Sequence, residues 1–144
     1  MTEDELQALV GHRFPGGRYR LAHWENWLLT DCTGRAPMPD HLAHPVVLFH
    51  APILGAGTSI SELFALGGAT GPGSVGLEGY DWEYFRPLLE DVEYRVEGGI
   101  VEAERTTSGS GDVVDRVAFQ IELHDGETLA ARVTNRWRFR RAAE

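Results

Sequence analysis

Lysine is missing from this chain, and its absence removes one class of chemistry. All 13 basic residues are arginine, so no lysine amine is available to form a Schiff base with a carbonyl substrate. Cysteine is also scarce: Cys32 stands alone and can form neither an internal disulfide nor, by itself, a metal site. No apolar run reaches the roughly 18 residues of a membrane-spanning helix, and residues 1–5 are too acidic to begin a secretory signal. We therefore expect a cytoplasmic protein that does not enter a membrane.

Positive charge is in deficit, because 22 acidic residues give a net charge of -9. Nucleic acids and anionic membranes require clustered positive charge, so neither is an expected partner. Five arginines nevertheless crowd the C-terminal end. Outward positions of a last strand would explain them, and a patch for an anionic ligand is the alternative. These residues are Arg132, Arg136, Arg138, Arg140 and Arg141.

The length of 144 residues fits one domain, residues 1–144, and neither a linker nor a repeat interrupts it. Apolar spacing predicts a short helix over residues 2–10, capped by Thr2 and Glu5, and a second helix over 24–34 with Trp24, Trp27, Leu28 and Cys32 on one face. The aliphatic neighbours of Cys32 indicate a buried thiol. A short strand is expected at 18–22. From residue 74 onward the period changes to two, which predicts strands at 74–86, 92–105, 113–123 and 128–140.

The middle of the chain predicts one buried helix over residues 52–66. Pro52 suits its first turn, and Ile53, Gly57, Ile60 and Phe64 lie on one face. Because the segment carries a single charge, we expect it inside the fold. The predicted class is therefore α+β, an antiparallel sheet wrapped around a long central helix.

Three short segments resemble the MaoC-like branch of the hot-dog fold. They are residues 11–19 (GHRFPGGRY), 50–54 (HAPIL) and 84–88 (YFRPL), in the order and spacing of that family. The family's hydratase signature, Gly-Asp-x-Asn-Pro-x-His, does not occur before the helix. Hydration of an enoyl thioester by the residues of that signature is therefore not expected.

Residues 44–60 (HPVVLFHAPILGAGTSI) and 24–31 (WENWLLTD) resemble thioesterase-like hot-dog enzymes of β-amino-acid and isonitrile lipid biosynthesis. That resemblance implies addition of an amine such as glycine to the β-carbon of an unsaturated acyl-carrier-protein thioester.

Thioester chemistry of this kind needs a polarised carbonyl and a group that moves a proton. The amides at the start of the central helix could stabilise an enolate oxygen, with Ala51, Gly55 and Gly57 small enough to let the thioester approach. Helix–sheet packing is an equal explanation for the two glycines. His50, beside those amides, is the first candidate for proton transfer, and a simple backbone cap is its alternative role.

Further candidates surround His50 in the sequence. His44 is preferred to His41 as a second catalytic histidine, and Asp31 or Glu25 could orient a histidine or take the proton. Asn26 could bind a carbonyl. Arg86 could pair with a substrate carboxylate, although a structural ion pair is expected more often at such a position.

Taken together, these features predict an enzyme that binds an acyl thioester, on acyl carrier protein or coenzyme A, in a tunnel beside the central helix. It would add or eliminate an amine or water at the β-carbon, and hydrolysis of the thioester remains open. A plain thioesterase and a non-catalytic partner subunit of a MaoC-like hydratase are the alternatives. No cofactor or metal is expected, because the histidine spacings do not form a strong zinc pattern. A homodimer is expected, since one curved sheet leaves an edge to cover.

Overall fold

The computed structural model describes residues 1–109 and 111–141, with the side chain of residue 72 excluded. In chain order the helices are α1 (Glu3–Gln7), α2 (His23–Cys32), α3 (Ala51–Gly55) and α4 (Ile60–Leu66), with 3₁₀ helices at Pro45–Phe49 and Pro72–Ser74. The strands are β1 (Gly17–Arg20), β2 (Val75–Tyr84), β3 (Glu93–Thr107), β4 (Val113–Asp125) and β5 (Thr128–Arg140). The predicted strands are all present, with ends shifted by a few residues at most.

One five-stranded sheet forms the body of the molecule, in the order β1-β3-β4-β5-β2, with every neighbouring pair antiparallel. The inner face of β4 carries Val117, Phe119 and Ile121, all buried. The segment from residue 45 to 66 lies across this face and supplies buried Val47, Leu48 and Leu63 to the same core. The predicted arrangement, a helical segment against a curved antiparallel sheet, is confirmed.

The prediction of one unbroken helix over residues 52–66 is wrong. The segment divides into α3 and α4, because Gly57 adopts a left-handed φ of 70° and Ser59 caps the new helix by accepting a hydrogen bond from the Glu62 N–H. The predicted inner face is also only partly right. Gly57 and Ile60 are exposed, whereas Ala51, Gly55 and Ala56 are buried.

The apolar side chains on the predicted face of helix α2 face solvent, the opposite of the orientation predicted for them. Trp24 is 65% exposed, and Trp27 and Leu28 are close to half exposed. The buried residues of this helix are polar, Asn26 and Thr30. The predicted burial of Cys32 is wrong for the same reason, since it lies at the exposed end of α2.

Both ends of the chain are held against the sheet. The predicted Thr2 and Glu5 capping box is present at α1, and buried Leu6 joins the core. At the other end, Arg141 donates to the carbonyls of Gly67 and Gly68, where α4 ends. These hydrogen bonds hold the end of the sheet against the helical segment 45–66, which we call the helical layer.

Candidate functional site

Three side chains from separate elements meet beside the start of α3. The Tyr19 hydroxyl of β1 donates to Glu25 Oε1 of α2 at 2.7 Å. His50 Nε2 lies 3.2 Å from the same Glu25 oxygen and 3.3 Å from the Tyr19 hydroxyl. The side chains of His50 and Glu25 are 26% and 22% exposed, so the cluster is half-buried and still reachable from solvent. We name these residues the Tyr19–Glu25–His50 cluster.

Close packing of β1 on α3 brings the cluster together. A Cβ on Gly17 would lie 2.7 Å from the Gly55 carbonyl oxygen, and a Cβ on Gly55 would collide with Val96. Only glycine at both positions allows this approach. Tyr19, two residues along β1, then packs its ring edge-on against the His50 ring at 6.2 Å. The contacts favour the packing explanation for Gly55.

Electrostatics hold the Tyr19 phenol in its protonated form. Burial, and then the hydrogen bond to Glu25 with its negative charge, raises the pKa of Tyr19 well above its usual value. Tyr19 is therefore a hydrogen-bond donor at every physiological pH. Sequence analysis did not single it out, because a lone tyrosine in a strand of four residues has no distinguishing pattern.

The amides at the start of α3 form a smaller site than predicted. The helix has only five residues, and Pro52 in its first turn has no N–H. The Leu54 N–H is already bonded to the His50 carbonyl. Ala51 is buried, whereas Gly57 lies at the exposed break after α3. These amides therefore provide little for an enolate oxygen.

His44 and Asn26 are engaged in holding the fold. His44 Nδ1 accepts from the Val46 N–H at 3.1 Å and so caps the 3₁₀ helix, while the His44 N–H donates to Asn26 Oδ1 at 2.9 Å. The Asn26 amide nitrogen donates to the Leu42 carbonyl and to Glu90 Oε1. With these contacts the amide of Asn26 is satisfied inside the protein.

Glu90 is the centre of a second cluster, which the sequence did not reveal. Its carboxylate accepts from Asn26, and its Oε2 lies 2.8 Å from His23 Nδ1 and 3.4 Å from His41 Nδ1. Burial pushes the pKa of Glu90 upward, but the hydrogen bonds from Asn26, His23 and His41 outweigh it and leave the pKa below its usual value. The cluster fixes the loop that contains His41 to the start of α2 and to the segment after β2.

The remaining predicted residues lie apart from the cluster. Asp31 is exposed near the end of α2, and within the described residues its side chain bonds to neither histidine. Arg86 Nη1 is 4.0 Å from Asp125 Oδ2, and both side chains are about half exposed. The structural ion pair considered for Arg86 is present, but at this distance and exposure it is weak.

The interior beside the cluster is nearly closed. A cavity of about 10 Å³, lined by Tyr19, Val47, Ala51 and Leu88 among other apolar residues, lies next to the start of α3. It is no larger than one water molecule requires. An acyl chain does not fit into this cavity, so the tunnel predicted beside the central helix is not seen there.

Three side chains of the types that bind metals lie close together, but their surroundings do not suit a metal ion. Glu97, Glu122 and His124 bring their ligand atoms within 4.8 Å of one another. His124 Nδ1 is buried without a hydrogen-bond partner in the described chain, so a proton there would be unsatisfied. The other ring nitrogen, Nε2, faces Glu122 at 3.1 Å and is the one that could bind a metal. Metal binding through Nε2 would force the proton onto the buried nitrogen, so these residues do not fit a metal.

Solved structures of known proteins share this fold. A chain of the ChsH1–ChsH2 complex from Mycobacterium tuberculosis superposes with a TM-score of 0.68 at 14% identity, covering 98% of this chain and 90% of that one. A chain of the HadBC (3R-hydroxyacyl-ACP dehydratase) complex from the same organism gives 0.61 at 10% identity, with coverage of 88% and 93%. A probable thioesterase from Bartonella henselae gives 0.54 at 12% identity, with coverage of 86% and 87%. The chain therefore has the hot-dog fold seen in MaoC-like dehydratases and thioesterases.

No protein-family model and no curated protein matches the sequence. Within the described residues, none of the helices combines the length and the apolar character needed to cross a membrane.

Proposed function

We propose that this protein is an enzyme that acts on acyl thioesters and adds or eliminates a small nucleophile, an amine or water, at the β-carbon. The Tyr19–Glu25–His50 cluster carries the proposal, because it places a histidine, a carboxylate and a protonated phenol in mutual hydrogen-bond reach. The solved hot-dog structures of a dehydratase and a thioesterase support the substrate class. The carrier, acyl carrier protein or coenzyme A, is left open by these observations.

In the proposed addition, His50 takes a proton from the nucleophile as its nitrogen or oxygen bonds to the β-carbon. The carbon–carbon double bond becomes an enolate, and His50 returns the proton to the α-carbon, so that one X–H bond has added across the double bond. Glu25 stabilises the transient imidazolium through its hydrogen bond to Nε2. Tyr19 fixes the carboxylate in place and does not itself change protonation state. Elimination follows the same steps in reverse.

Thioester hydrolysis is the second candidate, since the same histidine could activate water for attack on the carbonyl carbon. The likeness to a probable thioesterase favours it. A non-catalytic partner subunit is the third, and the nearly closed interior beside His50 favours that role.

We further propose that the chain forms a dimer through the free edge of β2. That edge carries exposed Leu77, Trp82, Tyr84 and Phe85, an unusual density of large apolar side chains. Two of the similar structures are complexes of hot-dog subunits, which supports association but leaves the choice between like and unlike subunits open.

Incubation with a crotonyl thioester, with and without glycine, tests the proposal directly. Mass spectrometry would show a glycine adduct, a hydrated product or free crotonic acid. The His50→Ala variant should lower turnover by about 10²-fold or more, because it removes the group that moves the proton. The matched control is His12→Ala, which removes an exposed histidine outside the cluster and should leave the rate unchanged.

Each outcome has a distinct meaning. Free acid alone rejects addition in favour of hydrolysis, and no turnover with any acyl thioester favours the partner subunit. An unchanged rate in His50→Ala would remove the cluster from the mechanism.

A further inference from the structure

Asn135 places an unsatisfied amide inside the apolar core. The residue lies in β5 and is 1% exposed. Its Oδ1 atom is buried and makes no hydrogen bond to any described part of the protein. Buried polar atoms almost always have a partner, and leaving one without costs folding free energy. An apolar residue would fill this position better if the position served the fold alone.

None of the neighbours of Asn135 on its face of the sheet donates a hydrogen bond to the amide oxygen. Its paired residues are Phe119 on β4 and Tyr80 on β2, which share its face of the sheet. Along β5, the residues on the same face are Val133 and Trp137. The amide oxygen therefore lies unpaired among mainly aromatic and aliphatic side chains.

The side chains nearest to Asn135 on the β2 side are partly exposed. The Tyr80 ring packs edge-on against the Phe49 ring at 5.8 Å, and Phe49 immediately precedes His50 in the chain. Phe49 is 56% exposed and Trp82, next along the inner face of β2, is 38% exposed. Asn135 thus lies one strand inward from a partly open aromatic row at the His50 end of the helical layer.

We propose that Asn135 binds a neutral hydrogen-bond donor, a hydroxyl or an amide N–H, carried by the acyl chain of the substrate. The inference rests on the proposed function, since it takes an acyl thioester as the ligand. Oδ1 is an acceptor, so the ligand group must donate. An ammonium group is unsuitable, because the desolvation of a charge in this apolar surrounding would not be repaid.

The proposed donor lies on the acyl chain and not at the thioester end of the substrate. His50 Nε2 faces Tyr19 on β1, and β1 is separated from β5 by β3 and β4, a path of roughly 14 Å along the sheet. With the thioester at His50, Asn135 would meet another part of the ligand, and the enzyme would prefer oxygenated or amide-bearing chains to plain hydrocarbon ones.

Binding measurements with non-reactive probes test this inference without turnover. The probes are dodecanoyl-pantetheine amide, in which nitrogen replaces the thioester sulfur, its isomers with a hydroxyl at carbon six, eight, ten or twelve, and the methoxy counterparts. By calorimetry, at least one hydroxyl isomer should bind about 10-fold more tightly than the plain chain. Its methoxy counterpart, which has no donor, should show no such gain.

Two variants separate a ligand contact from a structural one. Asn135→Leu should abolish the preference for the hydroxyl isomer and should raise the melting temperature of the free protein, because it removes the unsatisfied amide. The control Gln120→Leu removes an amide on the opposite face of β4, bonded to Thr134, and should keep the preference. A lowered melting temperature in Asn135→Leu, or a retained preference, would overturn the inference.

Failure of this inference is distinguishable from failure of the proposed function. Hydroxyl-dependent binding without turnover of any thioester rejects only the catalytic proposal. Turnover of crotonyl thioester without preference for any hydroxyl isomer rejects only the role of Asn135. If no probe binds, the role of Asn135 is rejected as well.

Discussion

Single residues around the proposed reaction site differ in whether their side chains are bonded to the backbone or to one another. Asn26 and His44 are hydrogen-bonded to each other and to the backbone, so their polar atoms are already engaged. Glu25 and His50 instead share a hydrogen bond at the half-buried edge of the site. Hydrogen bonds from the side chain to the backbone, and not residue type, distinguish Asn26 and His44 from Glu25 and His50.

The role of Tyr19 depends on one atom, its hydroxyl oxygen. Tyr19→Phe keeps the ring against His50 but removes the donor to Glu25, and hydrogen bonds to charged groups are worth about 1.5–3 kcal/mol. We expect a loss of that size in the free energy of unfolding, measured by urea denaturation. A double-mutant cycle with Glu25→Gln should show a coupling energy of about 1 kcal/mol or more. Additive effects of the two substitutions would mean that the bond does not form in solution.

At the scale of elements, strand periodicity predicted the sheet well, whereas the break between α3 and α4 and the exposed face of α2 were not predicted. Alternation from residue 74 onward locates four strands, because β3, β4 and β5 each bury one face in the core and β2 packs Val75 and Tyr80 against it. The break between α3 and α4 was missed because a glycine fits either an unbroken helix or a left-handed turn. The exposed face of α2 was missed because apolar spacing does not tell whether a face meets the core or lies at the surface.

The site was predicted in part for related physical reasons. His50 and Glu25 were both candidates, yet they are 25 residues apart, and the packing of α2 on the 3₁₀ helix before His50 brings them within hydrogen-bond distance. Tyr19 and Glu90 gave no local signal, since their roles depend on contacts between distant segments. Asp31 was a reasonable alternative to Glu25, and the register of α2 decides between them.

The junction of α4 with the sheet offers a test of packing at element scale. A Cβ at Gly67, the residue that caps α4, would collide with the Phe139 ring. Gly67→Ala should therefore lower the free energy of unfolding by about 1–3 kcal/mol through overpacking. Gly71→Ala is the matched control, because a Cβ there would meet nothing within 4 Å, and its effect should stay within about 0.5 kcal/mol. Equal stability of the two variants in chemical denaturation would show that α4 is not seated on Phe139.

Across the whole molecule, one buried carboxylate connects the two chain ends with the sheet. Asp115 on β4 is fully buried and accepts hydrogen bonds from Arg105 on β3 and from Arg141 after β5. Arg105 also donates to the Met1 carbonyl, and Arg141 to the carbonyl of Gly67. Removal of this charge should therefore loosen both termini and the helical layer at once.

The stability that Asp115 provides should depend on pH in a defined direction. Burial alone would raise the pKa of Asp115, but hydrogen bonds from Arg105 and Arg141, with their positive charges, outweigh it and lower the pKa. A lowered folded-state pKa means that the stabilisation is complete above the unfolded pKa of about 3.9 and is lost as the pH falls through the folded value. Asp115→Asn should thus cost about 3 kcal/mol or more at pH 7, because it leaves two arginines without their counter-charge.

In urea denaturation from pH 7 to pH 2, the difference between the wild-type protein and Asp115→Asn should narrow only below about pH 4, as the wild-type carboxylate becomes protonated. The control Asp125→Asn removes an exposed carboxylate 4.0 Å from Arg86 and should change stability by less than about 1 kcal/mol at any pH. If the difference in the free energy of unfolding between wild type and Asp115→Asn did not change with pH, packing and not charge would hold these elements together. In that case Arg105 and Arg141 would be held in place only by the hydrogen bonds that their side chains donate to backbone carbonyls.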